Sequence, residues 1–485
     1  MSQNKISKNI INWEIVSVNP NAKNWNWKDL FCFWGVNVQS IIGFSLIASL
    51  YAIYSLNFFV VFFGSILGSI LVYFFSNLIG KPSQKYGLPF VTLLRTSLGF
   101  SGAKYFGFVR SLVGVFMFGI QTYFLSKALG YLIRILLFTL DNSFLNQDIF
   151  LIFLLGLNII DWLALILAII TQVYFFSKGM NYNKKIINIS AVTVYSGMIF
   201  FFLIILLTDV KLTTKAFTEI LNFDNFLNYN NIAPLITVAG TIFAYFSIIV
   251  ISFGDFSRYA KDERQLKIGN LSLLINLLIF SFFAVFIVAG SDVFLNQQFE
   301  DIKRIYTNPT DIIGKFDNLQ LTVVALFFVI IASASTNLVA NFIPSQYSLI
   351  NFLPNKLNLN KVGFIIGLFG FIIAILWPAL LSRIGILSFV DTFSSFFGPL
   401  TGVIIINYYF INHSIINTKD LHSISTDSSF YFSKGWHLKA VYSIFIGFIF
   451  SSSTIWNYNL MFLQSYAWII GAFISSVLYY LLVKK

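Results

Sequence analysis

Residues 33–43 read Phe33-Trp-Gly-Val-Asn-Val-Gln-Ser-Ile-Ile-Gly43, and the fold turns on how they are interpreted. They sit inside an apolar run spanning 30–51, long enough to cross a bilayer, since about 20 helical residues cover the hydrocarbon. Yet Asn37, Gln39 and Ser40 fall towards its middle. Each would cost free energy against lipid, and each has hydrogen-bonding capacity to satisfy. Gly35 and Gly43 flank the polar patch, and glycine lets a helix unwind or be approached closely. The stretch is expected to be a membrane span interrupted at mid-depth to hold something polar.

The rest of the chain agrees. Of 485 residues, 57% are hydrophobic and 10% charged, whereas a soluble globular chain carries roughly 25% charge. The mean hydropathy is +0.80. An all-α polytopic membrane protein follows, with twelve spans expected near 30–51, 57–79, 107–130, 149–176, 186–208, 232–253, 269–291, 320–343, 362–380, 385–409, 440–457 and 461–482. Lysine and arginine concentrate on the cytoplasmic side of membrane proteins. With the N-terminus inside, 23 of the 31 lie on that side, including Lys5, Lys8, Lys23 and Lys28 in the first tail and Lys484 and Lys485 in the last. Both termini are expected in the cytoplasm, with the protein in the plasma (inner) membrane. The net charge of +12 then reflects topology and contact with lipid headgroups, not a nucleic-acid surface. No apolar h-region with a small-residue cleavage site occurs in the first 29 residues, so no cleaved signal peptide is expected. A single cysteine, Cys32, excludes an intrachain disulfide.

The longest hydrophilic pieces, 291–318 and 411–439, read as connecting loops. There is no GxxxxGK[ST] phosphate loop, HExxH or CxxC, and the three histidines, His413, His422 and His437, share the second loop. Neither an ATP-driven pump nor an intramembrane enzyme has the residues it needs. No cofactor is expected. Transport driven by an ion gradient fits better.

Polar groups recur at depth. In the third span Met117 and Gln121, four apart, share a helix face, and a buried glutamine presents both a donor pair and an acceptor, complementing an amide or imide edge. The sixth carries Tyr245, Phe246 and Ser247, then Asp255 and Arg258, whose spacing suits an ion pair closing the helix. The eighth, Ile331-Ala-Ser-Ala-Ser-Thr-Asn-Leu-Val-Ala-Asn341, puts Ala332, Ser335 and Thr336 on one side and Ser333, Asn337 and Asn341 on another. Two hydroxyls beside a small residue suit a hard cation, completed by carbonyls exposed at a break near Gly35–Val38, while Asn341 offers an amide to an organic ligand.

Several ordered motifs resemble the nucleobase–cation symporter-1 family, permeases for cytosine, uracil, thiamine, allantoin and hydantoins. They are Lys85-Tyr-Gly-Leu-Pro-Phe with Leu-Leu-Arg95-Thr-Ser-Leu-Gly-Phe, then Phe118-Gly-Ile-Gln121-Thr and Gly254-Asp-Phe-Ser-Arg-Tyr-Ala. Ser335-Thr-Asn-Leu-Val-Ala-Asn341 and Phe397-Gly-Pro-Leu-Thr-Gly with Asn407-Tyr-Tyr-Phe follow in order. The resemblance implies a leucine-transporter-like core of two inverted five-helix repeats, 30–208 and 232–409, whose first helices are both broken at the midplane. Around it would lie a cytoplasmic tail (1–29), a cytoplasmic loop (410–439) and two peripheral helices (440–485). It further implies that Gln39, Gln121 and Asn341 hydrogen-bond the substrate, with Met117 and Phe246 at the positions where the family commonly stacks tryptophans on it. A thioether can still contact a ring. The sodium site of sodium-coupled members would fall on backbone carbonyls of Gly35, Val38 and Ala332 and on the hydroxyls of Ser335 and Thr336.

The expected function is import of a planar nitrogen heterocycle such as allantoin, hydantoin, uracil or cytosine, by alternating access coupled to Na⁺ or H⁺. The partners expected are that small molecule, the coupling cation and membrane lipids. Two alternatives stand beside it: a thiamine-type vitamin permease of the same family, and a ligand-binding membrane sensor with the same fold.

Overall fold

The computed structural model describes residues 10–141, 143, 148–221, 223, 226, 228–298, 306–315, 318–384 and 386–484. Lys5, Lys8 and Lys485 lie outside them, as do parts of the 291–318 connection. The chain begins with α1 (Trp27–Val38) and α2 (Ile41–Ala52), followed by α3 (Phe58–Tyr86), α4 (Phe90–Leu140), α5 (Ile159–Phe176) and α6 (Met180–Thr208). A short helix, α7 (Val210–Ile220), precedes α8 (Ile232–Ser252), α9 (Gly254–Ser257) and α10 (Glu263–Gln298). Then come α11 (Pro309–Ile313), α12 (Leu319–Thr336), α13 (Ile343–Phe352), α14 (Leu359–Ala379), α15 (Ile386–Ile406), α16 (Leu438–Trp456) and α17 (Ala467–Lys484). Among the described residues, eleven helical stretches are long and apolar enough to cross a membrane, and the bent pair α1–α2 brings the number to twelve.

The first span is broken where its polar residues fall. α1 starts on an Asn26/Asp29 capping box and closes with the Gln39 N–H donating to the Gly35 carbonyl. The chain then turns by 61° and restarts with Ser40 as N-cap, its hydroxyl accepting from the Gly43 N–H at 2.7 Å. A serine side chain satisfies one of the free N–H groups that open any helix, so the break costs less than its depth suggests.

Other boundaries differ from the sequence reading. The sixth span is not broken at Tyr245–Ser247: α8 runs through them as continuous helix. Residues 241–252 hold neither glycine nor proline, so nothing weakens the ladder there, and Ser247 bonds back to the Ala244 carbonyl. The fourth span starts at Ile159, ten residues later than expected from 149, because Asn158 and Asp161 form a capping box. α4 begins well before residue 107, and Gly99 (φ 78°) separates its first two turns from the rest. The eighth span continues beyond 343 through a π-helical turn, Asn337–Phe342, into α13.

The helices sort into two packed groups. α1, α2, α3, α8 and α10 pack on one another, as do α4, α5, α12, α13 and α14, while α6 touches both α1 and α12. α15 packs on α8 on one side and on α16 and α17 on the other.

One end of the bundle is covered by the N-terminal segment, residues 10–26, which is tied down by its main chain. Arg95 donates to the Ile10 carbonyl at 3.0 Å, Arg258 to that of Glu14 at 3.0 Å, and Thr92 to that of Ile15 at 2.5 Å. Trp25 and Lys261 complete the strap by backbone bonds. The expected Asp255–Arg258 pair is therefore absent. Arg258 spends its donors on Glu14 and Tyr259 and stacks 4.5 Å from the Tyr347 ring, while Asp255 accepts from the Phe90 N–H at 3.0 Å. The 411–439 loop is also an ordered cap: Arg95 reaches its Leu421 carbonyl and His422 Nδ1, and His437 bonds the Ser97 carbonyl and stacks on Phe432.

Candidate binding cavity

Halfway along the bundle, between the two groups, lies a cavity whose wall includes Asn37, Ile42, Met117, Gln121, Tyr245, Thr336, Asn341 and Ser394. Five spans far apart in sequence thus contribute polar groups to one space.

The amides come from α4 and the π-turn. Asn341 Nδ2 donates to Gln121 Oε1 at 3.0 Å and to Asn337 Oδ1 at 2.8 Å. Asn337 in turn donates to Gln172 Oε1 at 2.8 Å and Thr122 Oγ1 at 3.0 Å, and Gln172 closes the ring on Thr122 at 3.0 Å. Gln121 Nε2 donates to the Ser333 carbonyl at 3.3 Å. Each amide holds the next in one orientation, and a satisfied network of this kind is rigid. On the opposite wall Asn37 uses its N–H on Phe33, and its Oδ1 is buried without a partner. An unmet acceptor costs about 1–3 kcal/mol. Tyr245 meets Ser40 through a hydroxyl pair 2.6 Å apart, so α8 props the broken span at the point where it turns. The apolar lining is Ile42, Met117, Ile248, Ile249 and Ala340, with Val390 and Phe393 from α15.

Beside the cavity, the α12 hydroxyls reach the last turn of α1. Thr336 Oγ1 donates to the Val36 carbonyl at 2.6 Å and to the Ala332 carbonyl at 3.0 Å. Ser335 bonds the Ala332 carbonyl at 3.2 Å. The neighbouring carbonyl of Gly35 takes the Gln39 N–H, and carbonyl oxygens keep a second lone pair for another partner. The Thr336 hydroxyl thus links the last turn of α1 to α12, while the Ser335 hydroxyl stays within its own helix.

The sequence-predicted ligand residues do not all share the space. Met117, Gln121 and Asn341 line it. Gln39 does not; with Ala332 it lines a separate, mainly apolar cavity between α2, α6, α10 and α12, and its amide approaches the Ala191 carbonyl at 3.5 Å. Phe246 points away as well, buried against Trp34 (6.5 Å between centroids) and Tyr245 (5.2 Å). Its neighbour Tyr245 faces the cavity instead, as consecutive helical positions differ by about 100°. Sequence reasoning missed Asn37 and Tyr245 as lining residues and Gln172 as the network's outer anchor. An amide alone in the apolar run of α5 is itself a signal, since polar side chains within membrane helices usually find a helix partner.

A model of the permeases for cytosine/purines, uracil, thiamine and allantoin matches residues 17–471. The chain belongs to this family. The permease is 24% identical over 452 residues to the purine-uracil permease NCS1 of Arabidopsis thaliana, covering 92% of the chain and 72% of that relative. It is 23% identical over 483 residues to the allantoin permease of Bacillus subtilis (strain 168), covering 99% and 94%. Among solved structures it is similar to MHP1, a nucleobase-cation-symport-1 family transporter in a closed conformation with bromovinylhydantoin bound. That match has a TM-score of 0.77 at 15% identity over 98% of this chain and 95% of the other. A Na⁺-coupled sialic acid symporter in a substrate-bound outward-open state follows with a TM-score of 0.66 at 14% identity, over 95% and 91%. The permease thus has the twelve-span, leucine-transporter-like architecture, and its relatives are transporters, not enzymes.

Proposed function

We propose that this permease imports a planar nitrogen heterocycle of the allantoin or uracil type by cation symport with alternating access. The observation that carries the reading is the Asn341–Gln121 amide pair on the cavity wall. Its bonds leave the Asn341 carbonyl oxygen and one N–H of Gln121 for a ligand, an acceptor beside a donor, which pairs with a ring edge of alternating N–H and C=O groups. Asn37 Oδ1 supplies a second acceptor from across the cavity. The apolar side chains would flank the ring faces. No acidic residue lines the space and its aromatic lining is limited to Tyr245 and Phe393, which disfavours a thiamine-type cation, because a buried positive charge needs a counter-charge or a full aromatic cage.

The coupling ion would sit between Gly35, Val38, Ala332, Ser335 and Thr336, as Na⁺ held by neutral oxygens. Hard cations prefer such ligands, and sharing them between the two helical groups would let the ion favour one arrangement of those groups. In this reading 30–208 and 232–409 are the two repeats, and the strap-covered end faces the cytoplasm. The test is a thermal-shift panel of allantoin, hydantoins, uracil, cytosine, thiamine and purines, with and without sodium. Stabilisation by an uncharged heterocycle, increased by sodium, is expected. Stabilisation by thiamine alone would overturn the substrate class, and counterflow into proteoliposomes would separate a transporter from a sensor.

A further inference from the structure

Arg110 lies on α4 two turns from Met117, with none of its side chain exposed. One guanidinium nitrogen, Nη2, does all the bonding: its two hydrogens serve the Ala340 carbonyl at 2.9 Å and Ser252 Oγ at 3.1 Å, with the Ile248 carbonyl at 3.4 Å as a weaker shared acceptor. Ala340 and Ile248 both line the cavity, so Arg110, itself just outside it, ties two positions of its floor together on the side facing the N-terminal strap. The Ala340 carbonyl is available for a structural reason. Its α-helical donor would be residue 344, a proline, which has no N–H. α4 comes close enough to use that oxygen because residue 114 is glycine: a Cβ there would stand 2.0 Å from Ser345 Oγ and 3.0 Å from the Asn341 carbonyl.

Two of these bonds, to Ser252 and Ile248, cross from one helical group to the other; the bond to Ala340 stays within a group. The remaining donors, Nε and Nη1, are buried without partners, as is Oδ2 of Asp255. Unpaired charged groups are costly in a dry interior and are satisfied once water enters. The floor is thus held from one guanidinium nitrogen while the other two, Nε and Nη1, stay buried without partners.

We infer that Arg110 is a positioning residue of the transport cycle: it latches α8 to the Asn341-bearing turn and closes the cavity floor towards the strap-covered face. The inference rests on the permease reading for the direction of release, but not for the latch itself.

The experiment uses the full chain in membranes, with Cys32→Ser and Ser348→Cys as the parent. Ser348 lies two turns beyond Asn341, is fully buried, and its hydroxyl has no partner, so a thiol there reports opening to a membrane-impermeant maleimide added on the strap side. Arg110→Gln should raise the labelling rate at least about tenfold, the change that losing one charge-assisted hydrogen bond produces. It should also abolish any slowing of labelling by a bound heterocycle. Arg110→Lys, which keeps the charge but not the fork, should give a smaller rise. A labelling rate equal to the parent's in Arg110→Gln overturns the latch. If that variant loses its thermal transition, Arg110→Lys decides, with an unchanged rate again overturning it. If no heterocycle stabilises the parent, the proposed heterocycle import fails while the labelling comparison still reads the latch.

Discussion

The Asn341 side-chain N–H donates to the Gln121 side-chain oxygen, Oε1, across 3.0 Å, joining positions 220 residues apart in the chain. Neither amide is free to turn, because Asn341 is also held by Asn337 and Gln121 by Ser333. Recognition by fixed amides is demanding, since a ligand that mismatches leaves buried groups unpaired. Gln121→Leu therefore removes both a ligand contact and the partner that aims Asn341. At about 1–3 kcal/mol for the unpaired group, ligand affinity should fall roughly 5- to 150-fold while the protein still inserts. Titration followed by thermal shift checks this; an unchanged dissociation constant would remove Gln121 from the site.

Thr336 is the hydroxyl that touches both α1 and its own helix, at 2.6 Å from the Val36 carbonyl. Thr336→Val keeps the shape and deletes the oxygen. Sodium should then lose most of its effect on ligand affinity, with the affinity in sodium-free buffer changing less than threefold. Wild-type sodium activation in the variant would sink the cation assignment.

How far the sequence could be read follows from the same residues. The break in the first span was legible because Asn37, Gln39 and Ser40 interrupt an apolar run, and Ser40 proves to be the cap that makes the restart possible. The amide pair was legible because glutamine and asparagine at depth demand partners. Which face each neighbour presents was not: Phe246 and Tyr245 differ by one position, and only packing against Trp34 decides which faces the cavity. Gln39 was lost in the same way, because two positions on from Asn37 it points about 200° round the end of α1 and lines the other cavity. The roles of Arg95 and Arg110 depend on carbonyls supplied from the N-terminal segment and the π-turn, and no periodicity records those.

Gly99 has φ 78°, and a Cβ added to it would stand 2.4 Å from the Gly435 carbonyl oxygen. Gly99→Ala thus combines a left-handed backbone strain of order 1–3 kcal/mol with a clash against backbone that cannot swing aside. A lower melting temperature is expected, with the 411–439 cap cut earlier by protease than the spans. A variant as stable as the parent would mean that the loop can re-seat.

His422 Nδ1 lies 3.3 Å from the Arg95 guanidinium. Arginine only donates, so Nδ1 must accept and stay unprotonated. Burial first, and then the charge of Arg95, push the imidazole pKa from 6.5 down to about 4. The sign follows from proton counting. Above pH 6.5 neither the folded nor the unfolded chain holds this proton. Between pH 6.5 and about 4 the unfolded chain binds it and the folded chain does not, so stability falls as the pH drops through that window and levels off below it. Melting temperatures recorded from pH 7 to pH 4 should decline more steeply for the parent than for His422→Gln, whose amide can accept from Arg95 without titrating. Parallel slopes in the two proteins would show that the cap tolerates a charged His422, and that Arg95 is held by its carbonyl acceptors alone.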